Sequence, residues 1–204
     1  AYDMTQEISS QGLQACKNLK PSPFYNSKSI ELIKTFNYED DLSKLKECDW
    51  IIEAISEKIE WKQELYHKII PHVNENSIIT SNTSGLSLSD LSNGLPESFL
   101  KTFFITHFFN PPRYMKLVEI VSSKTTNEDM VAFMHSFLED VLGKGVVIAK
   151  DTPNFIANRI GTFGMMVTLH ESNSRNLSIE DVDALTGTII GRPKSATFRT
   201  ADIV

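Results

Sequence analysis

Short apolar runs rich in β-branched residues recur along the chain, with stretches between them long enough for helices. Residues 49–55 (Asp49-Trp50-Ile51-Ile52-Glu53-Ala54-Ile55), 77–80, 103–106, 117–121 and 146–149 read as buried strands of the parallel type. Residues 1–4 read as the tail of one more strand. Helical spacing predicts a helix over 5–19, weakened by Ser9, Ser10 and Gly12. It predicts a second over 57–70, with Ile59, Leu65, Ile69 and Ile70 inward and Pro71 at its end. A third, strongly amphipathic, covers 127–142 and is closed by Gly143. Residues 20–28, with two prolines, and the acidic segment 37–45 read as loops. Strands alternating with helices imply an α/β domain with a mostly parallel sheet over residues 1–150.

After residue 150 the pattern changes. Asp151-Thr152-Pro153 reads as a helix entrance, with Thr152 as cap and Pro153 at the first helical position. A long apolar helix is expected from Asn154 to about residue 171, and another over 178–185 capped by Ser178. No strand pattern follows, so residues 151–204 read as the beginning of an all-helical domain.

Composition narrows the class. The 204 residues carry 20 basic and 26 acidic side chains, a net charge of −6, which argues against broad electrostatic binding of nucleic acid. No 18-residue apolar span predicts a transmembrane helix, and residues 1–20 show no secretory signal pattern. Cys16 and Cys48 form no CxxC pair, so reduced thiols in a cytoplasmic protein are expected. The histidines at 67, 72, 107, 135 and 170 form no HExxH or clustered ligand set, and no metal site is expected.

The candidate chemistry centres on His107 and Glu119. His107 follows an apolar strand, and Phe108-Phe109-Asn110-Pro111-Pro112 turns the chain just after it. Glu119 lies in an otherwise apolar strand, where an unpaired carboxylate is costly. A His–Glu pair resolves that cost and yields an oriented imidazole able to act as general base. The alternative is a satisfied core histidine and a sheet-edge glutamate. Ser81-Asn82-Thr83-Ser84 follows a strand, where ligand loops of open α/β sheets lie, although standing alone it reads first as a helix cap or polar turn. Asn158 sits in the apolar helix after Pro153, one turn from Asn154; on an inner face it needs a partner such as a substrate oxygen. Asp3 ends the first strand fragment, the position of a ribose-binding acid in dinucleotide folds. Gly143-Lys144-Gly145 precedes a strand and reads as a helix stop, and no GxGxxG occurs in the sequence.

Four ordered motifs together closely resemble the L-3-hydroxyacyl-CoA dehydrogenases of fatty-acid β-oxidation. They are Ser81-Asn82-Thr83-Ser84, His107-Phe108-Phe109-Asn110-Pro111, Met115-Lys116-Leu117-Val118-Glu119, and the run from Lys150-Asp151-Thr152-Pro153 to Asn158-Arg159. The resemblance implies a Rossmann-like sheet lacking its first strand and glycine-rich loop, followed by the start of a helical substrate and dimerisation domain. It implies NAD-dependent oxidation of (S)-3-hydroxyacyl-CoA to 3-oxoacyl-CoA, with His107 as base and acid, Glu119 as its orienting partner, and Ser84 and Asn158 on the substrate oxygens. It implies that Glu57 and Lys62 contact the nicotinamide half of NAD, that Asn82 and Asn110 flank the pocket together with Ser84, and that Asp3 takes the ribose. The partners implied are an acyl-CoA and, in the full-length family member, a second subunit of a homodimer. The alternatives are a catalytically silent fragment, or a relative acting on 3-hydroxybutyryl-CoA or another hydroxy acid. Gly191-Arg192-Pro193-Lys194-Ser195-Ala196-Thr197-Phe198 replaces the family's more usual GxPxGP-like turn, which is similar to the long bacterial enzymes joined to an enoyl-CoA hydratase region.

Overall fold

The computed structural model describes residues 2–3 and 6–202; for Tyr2, Asp3, Gln6 and Glu7 it describes the backbone only. Contacts divide the chain into two compact units, residues 1–152 and 153–204.

In the first unit, β1 (Tyr2–Asp3) leads into α1 (Gln6–Ala15), and β1 pairs in parallel with β2 (Phe36–Asn37) as a separate two-stranded sheet. The main sheet has five strands in sequence order: β3 (Trp50–Glu53), β4 (Ile78–Ser81), β5 (Phe103–Phe108), β6 (Leu117–Val121) and β7 (Gly145–Ala149). Crossovers supply α2 (Ile59–Ile69) between β3 and β4, the short α3 (Leu88–Leu91) and α4 (Glu97–Leu100) before β5, and α5 (Glu128–Ser136) before β7. The expected mostly parallel sheet is present, with one exception: β5 and β6 run antiparallel. Residues 109–116 are too few for a parallel crossover, which takes a dozen residues or more, so the chain folds straight back.

That reversal sets the register. Ile105 lies opposite Val121 and His107 opposite Glu119. Side chains alternate between the sheet's faces. Phe104, Val118 and Ile120 therefore join Met134 and Leu138, from α5 and the π-turn after it, in one buried cluster with Ile78. Phe103 points to the opposite face, where its ring lies 5.0 Å from that of Tyr66 on α2. His107 and Glu119 share this second face.

At the edge of the main sheet, a cavity of about 430 Å³ runs along β3, lined by Leu45, Ile51, Ile52, Leu65 and Ile69 among others. Neither His107 nor Ser84 borders it. No helix among the described residues is long and apolar enough to cross a membrane.

The second unit contains α6 (Ala157–Ser174), α7 (Ile179–Thr186) and the short α8 (Phe198–Ala201). Ser178 caps α7 as expected, its hydroxyl accepting from Asp181 N at 3.1 Å. The expected helix start at Pro153 is not observed. Asn154 and Phe155 have φ of 64° and 48°, left-handed backbone that a right-handed helix cannot contain, so α6 begins at Ala157. Asn154 is thus not one helical turn from Asn158. The 191–198 turn is held from α7, where Asp183 Oδ1 accepts Phe198 N at 2.7 Å.

Candidate active site

The pairing of β5 with β6 brings His107 Nδ1 within 2.8 Å of Glu119 Oε2, with side chains 4% and 1% exposed. β6 lies between β5 and β7, so Glu119 is not at a sheet edge. A carboxylate only accepts hydrogen bonds, so the contact with ionised Glu119 places an imidazole hydrogen on Nδ1. The Phe109 ring packs at 4.3 Å between centroids and limits the imidazole's rotation. Asn82 fixes the backbone beside the histidine: its Oδ1 accepts Phe108 N at 2.9 Å, and its own N donates to Glu53 O at 2.7 Å.

The turn after His107 is tied to β7's approach. Lys144 Nζ donates to Met115 O at 2.8 Å and to Pro112 O. Gly143, with φ of 64°, ends the preceding helix as its sequence context suggested. The sequence reading took Lys144 only as part of that helix stop; its ammonium is also the clamp of the site's turn.

Ser84 lies just beyond β4, exposed, with its backbone N donating to Glu57 Oε1 at 2.5 Å. The same oxygen accepts Thr83 Oγ1 at 2.6 Å, and Lys62 Nζ stands 3.3 Å from Oε2. Burial pushes the Glu57 carboxyl up, but the hydrogen bonds from Thr83 and Ser84 and the Lys62 charge outweigh it, and the group ends below its ordinary value. Glu57 is therefore a carboxylate, with its side chain 43% exposed.

Lys62, expected at the nicotinamide half of a cofactor, is fully buried. Its ammonium has three hydrogens, and they meet Glu53 Oε1 at 2.7 Å, Ile55 O at 3.1 Å and Glu57 Oε2 at 3.3 Å. Sequence reasoning missed Glu53 and Tyr66 and took Ser81 and Thr83 only as part of the 81–84 loop; all four are buried around this ammonium or its partners. The signal was available: Glu53 ends an apolar strand, which is the argument that singled out Glu119, and Lys62 and Tyr66 lie four apart on one face of α2.

Asn110 is exposed in the turn after β5. Asn158 belongs to the second unit, on the first turn of α6 and half-buried. The Asp3 side chain lies outside the described residues.

Residues 1–152 match the family model of the 3-hydroxyacyl-CoA dehydrogenase NAD-binding domain. The chain belongs to this family. It is 48% identical over 202 residues to a probable 3-hydroxyacyl-CoA dehydrogenase of Bacillus subtilis, covering 99% of the chain and 26% of that protein. It is 41% identical over 191 residues to a putative fatty acid oxidation complex trifunctional enzyme of Rickettsia prowazekii, covering 92% of the chain and again 26% of the relative. The chain thus spans about a quarter of the length of these two relatives. Its fold superposes on a crystal structure of (S)-3-hydroxybutyryl-CoA dehydrogenase from Ralstonia eutropha with a TM-score of 0.72 at 26% identity, over 92% of the chain and 64% of that structure. The sheet is accordingly Rossmann-like.

NAD-binding chemistry fits part of what this dehydrogenase domain presents. Partly exposed Glu57, exposed Ser84 and the Asn82 loop lie at the carboxyl ends of the parallel strands β3 and β4, where open α/β sheets bind ligands. These groups suit the amide and hydroxyls of a nicotinamide ribose.

Asp151, two residues before the second unit begins, caps α3 with its carboxylate. It accepts Leu88 N at 2.7 Å, Ser89 N at 2.9 Å, Ser89 Oγ at 2.5 Å and Ser87 Oγ at 3.1 Å. Burial raises its pKa, but these four donors, Ser89 foremost, bring it below the ordinary 3.8. Asp151→Asn should cost about 1–2 kcal/mol at neutral pH, the range of a lost cap with a charged acceptor. A carboxylate with a depressed folded pKa stabilises fully above its unfolded value and loses that contribution as pH falls through the folded one. The gap between wild type and variant in urea unfolding should therefore be full at pH 7 and close below about pH 4. A gap of constant size across that range would show that the charge plays no part.

Proposed function

We propose that the dyad of His107 and Glu119 carries out the oxidation of (S)-3-hydroxyacyl-CoA to 3-oxoacyl-CoA. The observation that carries this reading is the buried 2.8 Å contact between the two side chains, in a domain of the 3-hydroxyacyl-CoA dehydrogenase family. His107 Nε2 takes the proton of the 3-hydroxyl as the C3–O bond becomes a carbonyl. Bound NAD⁺ supplies the acceptor for the hydride that leaves C3. Glu119 holds the ring through Nδ1 and balances the positive charge the imidazole acquires, as an orienting carboxylate does for other catalytic histidines. In the reverse direction the imidazolium returns the proton to the carbonyl oxygen. Ser84 and Asn158 donate hydrogen bonds to the substrate oxygens, and Glu57 and Asn110 line the cofactor side. The name of the Rickettsia relative supports fatty-acid oxidation as the setting, and the Ralstonia structure supports short acyl chains as a substrate range.

A substrate panel tests the reading. The native protein is incubated with NAD⁺ and (S)-3-hydroxyacyl-CoA thioesters of increasing length, alongside the free hydroxy acids, and NADH formation is followed. Turnover confined to the thioesters is expected. Turnover of the free acids alone assigns the site to hydroxy acids, and no turnover by folded protein overturns the assignment.

A further inference from the structure

Glu53 ends β3 and is buried, yet the proposed reaction uses no atom of it. Its carboxylate is saturated. Oε1 accepts Ile55 N and Lys62 Nζ, each at 2.7 Å, and Oε2 accepts Tyr66 OH at 2.7 Å and Ser81 Oγ at 2.6 Å. A carboxylate offers about four lone-pair sites, so all are engaged. Lys62, Tyr66 and Ser81 are each fully buried.

Three routes lead out of this hub, and each ends beside a group that the proposed function employs. Lys62 Nζ carries on to Glu57 Oε2, and Glu57 Oε1 receives Thr83 Oγ1 and Ser84 N. Ser81 Oγ accepts Thr83 N at 3.2 Å. The Glu53 carbonyl accepts Asn82 N, and Asn82 Oδ1 accepts Phe108 N, next in the chain to His107. Two routes converge on the peptide of Thr83 and Ser84, and the third reaches the strand end that carries His107.

A buried ion pair is poor value as a stabiliser, because desolvation consumes most of the Coulombic gain and apolar replacements are often neutral. What a saturated charged network supplies is fixed geometry. We propose that Glu53 is a positioning residue that sets the Thr83–Ser84 backbone relative to His107, with Lys62 as the internal cation that links it to Glu57. The roles of Ser84 and His107 in this proposal rest on the function proposed above.

The test uses the native protein with Glu53→Gln, which keeps the shape and removes the charge. Tyr66→Phe, which removes one of the four bonds, is the gentler companion should Glu53→Gln fail to fold. The first readout is the Ser84 amide proton by ¹⁵N-resolved NMR, which needs no turnover. A short bond to a carboxylate holds that proton downfield. Both variants should move it upfield, Glu53→Gln further. The second readout is steady-state kinetics: kcat should fall about tenfold or more, as misplacement of a reacting group does, with the KM for NAD⁺ little changed. A Ser84 amide that stays in place in folded variants overturns the proposal. So does a loss confined to the KM for NAD⁺, which would mean that the Glu53 network serves cofactor binding and not the placement of Ser84 against His107. If the native protein turns over no thioester, the function reading falls, and the amide shift still decides whether Glu53 sets the Ser84 backbone.

Discussion

His107→Gln should lower kcat of the native protein by about 10²–10⁴-fold, the contribution that a positioned general acid–base group makes. Glutamine is close in reach to imidazole and can still donate to Glu119 Oε2, so the buried carboxylate keeps a partner and the fold survives. It cannot take a proton from the substrate hydroxyl. The loss should therefore appear in kcat with the KM for the thioester little affected, since binding in the ground state does not depend on proton transfer. The sheet register makes this a clean substitution: Glu119 and Phe109 pack the ring from inside the protein. Unchanged turnover would show that the proton leaves by another route and that the contact with Glu119 is structural.

Lys62→Met should destabilise the first unit by about 3–5 kcal/mol, the cost of leaving a buried carboxylate without its counterion. Both side chains of the Lys62–Glu53 pair are 1% exposed, so water cannot take over. Tyr66 feels the same charge: burial first, and then the Glu53 carboxylate, hold its hydroxyl protonated far above the ordinary value. The decisive comparison is with the double variant Lys62→Met with Glu53→Gln, in which the orphaned charge is gone. Chemical unfolding should show the double variant more stable than Lys62→Met alone. A double variant weaker than both singles would mean that the hydrogen bonds of Glu53, and not its charge, set the cost.

The strands were legible because each is a short apolar run with its own punctuation, and Trp50–Glu53, Ile78–Ser81 and Leu117–Val121 fall close to where the pattern places them. What the pattern could not show is pairing. Parallel and antiparallel strands read alike when both faces are buried, so the reversal at Pro111 and Pro112 was visible as a turn but not as the device that sets His107 against Glu119. Two-residue β2 and four-residue α3 and α4 are shorter than any period can reveal. Helix ends depended on tertiary contacts. The helix expected over 127–142 is α-helical only to Ser136 and then widens into a π-turn over Phe137–Val141, while Asn127 caps it with Oδ1 accepting Asp129 N. The start of α6 moved because Asn154 and Phe155 adopt left-handed backbone that no capping signature announces. At the site, Ser84 stood out only as the end of a polar loop after a strand and Glu57 only through the family resemblance; their mutual hydrogen bond joins residues 27 apart, which spacing cannot connect. Lys62 also came only from the resemblance; its burial against Glu53 was hidden, since a lysine on an amphipathic helix reads as exposed until its buried acid is known.

The measurement that bears most directly on the account is the kinetic coupling of the dyad. The kcat values of wild type, His107→Gln, Glu119→Gln and the double variant are compared in the native protein with a thioester substrate. If the two side chains act as one unit, Glu119→Gln alone costs on the order of 10²-fold or more, as loss of an orienting carboxylate does elsewhere. Added to His107→Gln, it should cost almost nothing further, because residues that work together are not additive. Multiplying losses would contradict the account and show that Glu119 serves the reaction, or the fold, by a route that does not pass through His107.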